Sequence, residues 1–295
     1  MPITVARSVL CTAWLATPLL VLAQGSILPQ QRDTAGNVME PLGQVLDAAG
    51  VRHCTADGAW CVRVQPVAHD GDRPTTLEVS ERGTARGDPH VYHVSIDVPQ
   101  ESELKLWPWI VRLAPGVGSD AVVTDPQQRA RQNVLVGGIV SFSSMYSGGG
   151  ADASTLQLAR VRHLQDDIQV DDDVLTVPWQ GNASIRACFS EQDARQRAGA
   201  CHDEYSFSAK LGLDPAAQAM PVLRYQTVAT RFPAGASRFE DSLAKGPLKK
   251  KDLRTEQDPA CSYTRLFRFS EGMFHPDQAL PDLSLIHISE RAGKA

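Results

Sequence analysis

The 295 residues are 42% hydrophobic and 21% charged, enough apolar material to bury the core of one or two domains. The net charge of −5 excludes the basic face that counterion release onto nucleic acid requires, so no nucleic-acid partner is expected. The lone basic run, Lys249 to Lys251, lies in a polar Pro/Gly stretch and reads as a solvated loop.

Residues 1–23 read as a signal peptide. Arg7 precedes an apolar run from Ser8 to Leu22, and Val21 and Ala23 are small enough for the positions before a cut. The run is short for a bilayer and contains Pro18, so no membrane span is expected after cleavage. An exported chain, periplasmic or extracellular, meets an oxidising compartment in which cysteines pair. Cys11 leaves with the signal, and Cys54, Cys61, Cys188, Cys201 and Cys261 remain. Five cannot all pair within one chain.

Residues 24–50 read as a polar leader followed by a short helix. In "EPLGQVLDAAG", Leu42, Val45, Leu46 and Ala49 fall at helical spacing between Pro41 and Gly50. From residue 51 to 282 the period changes to two. "WCVRVQPV", "HVYHVSIDV", "NVLVGGIVSFSSMY", "STLQLARVRH", "VLRYQTVAT" and similar runs are separated by turn signals such as "SGGGADA" and "DDD". The predicted class is mainly β, an antiparallel sandwich or barrel-like fold, with room for two subdomains.

Two local pairings follow. "CTADGAWC" places Cys54 and Cys61 on either side of an Asp57-Gly58 turn signal, where they would staple a hairpin. "CFSEQDARQRAGAC" carries a capping Ser190 with Asp193 three residues on, and Gly199 as an exit. That spacing predicts a short helix near 190–199, closed by Cys188–Cys201. Cys261 is left over.

Candidate chemistry is sparse. In "GDPHVYHVSID", Asp88 and His90 share a strand face and His93 points to the other, so a metal site would need His69 or His202 as well. These are the weak metal and catalytic candidates, and ordinary structural histidines are the stronger reading. The acids of "QDDIQVDDDVLT" lack the Gly and Glu spacing of a calcium loop and read as an acidic hairpin tip. Ser141, Ser143 and Ser144 have no nucleophile elbow around them and read as a strand. Cys201-His202 resembles a catalytic pair only in sequence. Trp107 and Trp109 share a strand face and would serve either as core or, if exposed, as a protein or glycan contact. "VPWQGNAS" adds a sequon at Asn182. No cofactor is expected.

The segments "YSGGGADASTLQLARV", "VPWQGNASIRACFSEQDARQRAGACHDEYSF" and "DPACSYTRLFRF" resemble a family of exported proteins of Gram-negative bacteria without established activity, over most of residues 100–282. The resemblance implies export and no particular chemistry. It also implies a further Cys after "ALPD", which would pair with Cys261. Here "LSLIHISE", residues 283–290, resembles a translated transposon-end sequencing adapter, so residues 283–295 are expected to be a non-native tail on a truncated chain. The leading functional expectation is a non-catalytic binding or accessory factor of the cell envelope. The alternative is a secreted hydrolase, metal-dependent or not, assembled around His90 and His93.

Overall fold

The computed structural model describes residues 30–48, 50–65, 76–82, 90–114, 133–164, 167–217, 219–237, 244 and 246–281. The expected signal peptide at 1–23, the expected non-native tail at 283–295, His69 and Asp88 lie outside the described residues. The protein is mainly β, and every strand pairing among the described residues is antiparallel.

The strands form two sheets. The larger begins with β1 (Gln31–Arg32) and β2 (Val38–Pro41), then takes in β8 (Glu103–Leu106) and β9 (Trp109–Arg112). A meander of long strands follows: β10 (Val134–Tyr146), β11 (Gly149–Leu164), β12 (Asp167–Arg186), β13 (His202–Leu213) and β14 (Leu223–Phe232). The short β15 (Glu256–Gln257), β16 (Thr264–Ser270) and β17 (Met273–Pro276) complete it. The smaller sheet holds β3 (Gly43–Asp47), β4 (Gly50–Cys54), β5 (Trp60–Val64), β6 (Thr76–Glu81) and β7 (His90–Ser95) in chain order.

Two cores explain the sequence pattern. One face of the large sheet gathers Leu135, Leu156, Leu158, Leu211, Tyr225 and Phe267, and the sheet curls so that β17 meets β12 and β1 meets β13. The opposite face, through Val134, Val136, Val140 and Val161, packs on Trp60, Leu77, Val79 and Val94 of the small sheet. Strand β10 is therefore covered on both sides, which is why "NVLVGGIV" is almost continuously apolar. At Gly137 a Cβ would come within 2.4 Å of Leu158 Cδ2 and 2.6 Å of the Gln157 carbonyl, so only glycine fits that crossing.

The expected N-terminal helix is not there. Residues 43–47 form edge strand β3, paired with β4 from Gly43↔Cys54 to Asp47↔Gly50. Gly50 takes φ +110°, which suits a tight reversal, and Arg52 pairs with Asp47 at 3.0 Å. Leu46 is 78% exposed, so the apolar spacing that suggested a helix does not mark a buried face. The polar leader is likewise ordered from residue 30. Buried Asp33 and Asn37 close a turn on each other, and Asn37 Oδ1 accepts from the Ala114 backbone N–H at 2.7 Å.

The run "DDD" is a second correction. It lies inside β12, not at a turn, where the register jumps from Leu158↔Leu175 to Arg160↔Asp171. Asp173 sits at φ +55° in this bulge, a conformation that Asp tolerates better than most residues. Asp171 engages Arg162, and Asp172 Oδ1 accepts from the Ser95 backbone N–H, tying β12 to the small sheet.

Both local disulfides form, Cys54–Cys61 across β4 and β5 and Cys188–Cys201 around the only α-helix among the described residues, α1 (Glu191–Gln196). Ser190 caps α1 by accepting from the Asp193 N–H at 3.1 Å, and Gly199 leaves at φ +85°. Two closed disulfides are consistent with an oxidising compartment. Cys261 belongs to neither bridge and is fully buried.

Candidate functional site

The metal candidates suggested by the sequence do not converge. His90 and His93 are both exposed on β7, three residues apart and hence on opposite faces of the strand. His202 is exposed at the start of β13 in the other sheet, opposite Arg186. Among the described residues no group of three His, Cys, Asp or Glu side chains is placed to hold a metal. Cys201 is in a disulfide, so the Cys201-His202 pair has no thiol to activate. Ser141, Ser143 and Ser144 lie in strand β10 as expected.

The indoles divide. Trp107 is 1% exposed within the first core, which removes it as a contact for an external partner. Trp109 is half-buried and packs on the same core.

A different feature is concave and polar. Where β10 turns into β11, and β12, β13 and β14 run alongside, a groove of about 690 Å³ opens on one sheet face. Its base is set by register. Asp152 faces Asn182, Asn182 faces Ser206, and Ser206 faces Thr230, so four polar side chains stand in one row across four strands. Adjacent strands lie about 4.8 Å apart, which makes the row about 14 Å long. Asn182 Nδ2 donates to Asp152 Oδ2 at 3.1 Å, and the hydroxyls of Ser206 and Thr230 are 2.6 Å apart.

A parallel row one step along reads Gly150, Ser184, Glu204 and Phe232. Small residues dominate this end of β11 and β12, in "GGADAS" and "GNAS", and that is what leaves room above the sheet. At Gly150 the side chain of Met145 lies where a Cβ would be, with the sulfur 2.5 Å from that position, so glycine lets Met145 fold over the floor. Met145 is itself 81% exposed at the rim. Among the described residues the lining includes two carboxylates, Asp152 and Glu204, and no Lys, Arg or His.

Of these residues only Asn182 stands out in the sequence, through its sequon. The available signal for the rest is the two-residue repeat of small polar side chains, Asp152/Ser154, Asn182/Ser184 and Ser206/Ser208, on strands that elsewhere carry Leu and Val.

A second, smaller cavity of about 500 Å³ lies beside the Cys54–Cys61 loop, lined in part by Arg52, Asp57, Glu81 and Arg82. Its best-defined carboxylate has structural partners. Asp57 accepts from Arg112 Nη2 at 2.6 Å and from Thr55, and the Arg112 hydrogen bond holds its carboxyl far below the usual carboxylate range against the opposing effect of burial. Arg112 also pairs with Glu40, so this cluster joins the small-sheet loop to β2 and β9.

No helix among the described residues is long and apolar enough to cross a membrane. No family model, no curated protein and no solved structure matches the chain.

Proposed function

We propose that the chain is an exported, non-catalytic binding protein of the bacterial envelope and that it binds its ligand in the groove over β11–β14. The observation that carries this reading is the row Asp152–Asn182–Ser206–Thr230, four polar side chains on one concave surface whose lining also includes Gly149, Gly150 and Ala183. Sites for small ligands combine a concave shape with a few placed polar groups. Export is supported by the charged and apolar pattern of residues 1–23, by the family resemblance, and by the two disulfides.

The test is an NMR titration of isotope-labelled protein with a library of amino acids, dipeptides, polyamines and oligosaccharides, with each ligand assayed afterwards for chemical change. The expected result is that signals of Asn182, Ser206 and Thr230 move with at least one ligand class and that the ligand is recovered intact. Hydrolysis of an ester, peptide or glycoside substrate that is lost in H90A or H93A would overturn the proposal and establish the hydrolase instead.

A further inference from the structure

We infer that the groove takes a neutral saccharide chain laid across the strands, its hydroxyls read by the row Asp152, Asn182, Ser206 and Thr230; this rests on the reading of the groove as a binding site.

Three features narrow the ligand. First, the strands beneath the groove are interior ones. Strands β11, β12 and β13 each have a hydrogen-bonded neighbour on both sides, and β14 lies between β13 and both β15 and β16. Their backbone groups are spent in the ladders, so an extended peptide cannot add here as a strand, and recognition falls to side chains.

Second, the charge pattern disfavours ions of either sign. With no cationic side chain among the described lining residues, the charged groups there that a phosphate or carboxylate ligand would meet are Asp152 and Glu204. Those two carboxylates do not converge on a cation either. They sit two strands and two residues apart, which puts their Cα positions about 12 Å from each other. One oxygen of Asp152 is already engaged by Asn182.

Third, the donors and acceptors alternate. The amide of Asn182 and the hydroxyls of Ser206 and Thr230 each both donate and accept, and the Asp152 carboxylate accepts through two oxygens. Sugar hydroxyls, which also do both, suit such a row. Phe232 and the exposed Met145 give the walls an apolar component, against which the C–H faces of a sugar ring can lie. The row runs across the strands, so a chain reading several of its members lies at right angles to them.

The experiment is a titration of the labelled protein with cellotetraose, chitotetraose and maltotetraose as neutral probes. Tetragalacturonate, spermidine and tetra-alanine serve as the anionic, cationic and peptide comparisons. At least one neutral tetrasaccharide should give a saturable shift of the Asn182, Ser206 and Thr230 signals. S206W, which fills the groove, should weaken that binding by more than about tenfold, and the shape-preserving D152N should weaken it by about tenfold, the loss of one charge-assisted hydrogen bond. Unaltered thermal unfolding of D152N keeps the result interpretable if S206W folds poorly.

A saturable response to spermidine, tetragalacturonate or tetra-alanine alone overturns the saccharide assignment while leaving a binding groove in place. Saccharide binding that is unchanged in D152N and S206W places the ligand elsewhere and overturns it too. No response of the groove signals to any of the six probes, nor to the wider library, overturns both the assignment and the reading beneath it.

Discussion

Arg197 donates from Nη2 to Asp203 Oδ1 in an ion pair whose two side chains are each 6% exposed, joining the end of helix α1 to the start of strand β13. The same guanidinium donates from Nε to the Ala200 carbonyl at 2.8 Å, so it is anchored both within the disulfide loop and on the strand that follows it. Removing one partner leaves the other charge buried. D203A is expected to lose about 3–5 kcal/mol of stability, whereas the double variant R197M/D203L should lose less than D203A alone. Urea unfolding of the three proteins decides this. A double variant at least as destabilised as the single would show that the pair is net stabilising in place.

The Cys188–Cys201 bridge closes the loop that carries Arg197, with a sequence separation of 13. Its removal in C188A/C201A should cost about 2–3 kcal/mol, as expected for a loop of this size. Because α1 buries none of its own residues, its helical signal should be lost on reduction before the sheet unfolds. Circular dichroism and hydrogen exchange with and without reductant measure both effects.

Asp57 gives the chain an acid-sensitive joint. Its carboxyl titrates lower in the folded chain than in the unfolded one, chiefly through Arg112, so its contribution is present above about pH 4 and lost as pH falls below it. The side chain is 52% exposed, and solvent screening keeps the effect under about 1 kcal/mol. D57N should therefore melt slightly below the wild type at pH 6, and the difference should shrink as pH falls below about 4. A difference that does not shrink on acidification would point to the Asp57 hydrogen bonds to Thr55 and Ala59 instead.

Tyr225 is the alkaline counterpart. It is fully buried, its hydroxyl donates to the Pro178 carbonyl at 2.5 Å, and burial above all pushes its ionisation far above the usual tyrosine value. Stability from this group is present below about pH 10 and lost as pH rises beyond it, because only the unfolded chain ionises there. Y225F should cost about 1–2 kcal/mol at pH 7 by orphaning the carbonyl, and should flatten the decline of stability above pH 10. Thermal melts from pH 7 to 11 measure both.

The strands themselves were legible because most bury one face or two, and burial is written into a single strand as alternation or as a continuous apolar run. Val134, Leu135 and Val136 carry the second kind of signal; Leu77 and Val79 carry the first. The stapled hairpin and the capped helix were legible for a similar reason, since Cys54–Cys61 and Ser190–Asp193 are contacts between near neighbours. Strand β3 was not, because it is an edge strand whose Val45 and Leu46 are exposed, so their spacing records no buried face. The "DDD" bulge was missed because nothing within a strand announces that its partner will shift register. The groove was least legible of all. Asp152 and Thr230 stand in one row only through three successive cross-strand registers, none of which can be read along one segment.

Pro41 faces Trp109 where β2 pairs with β9, so the chain from 42 to 108 departs from and returns to the same place on the large sheet. All five strands of the small sheet lie within that excursion. In modular terms it is an insert whose two ends already touch, and a short linker could bridge the gap left by deleting it. Yet Val134, Val136, Val140 and Val161 would then face water. The excised protein would also lose strand β8 and the buried Trp107 from the large sheet, and would acquire an adhesive flank.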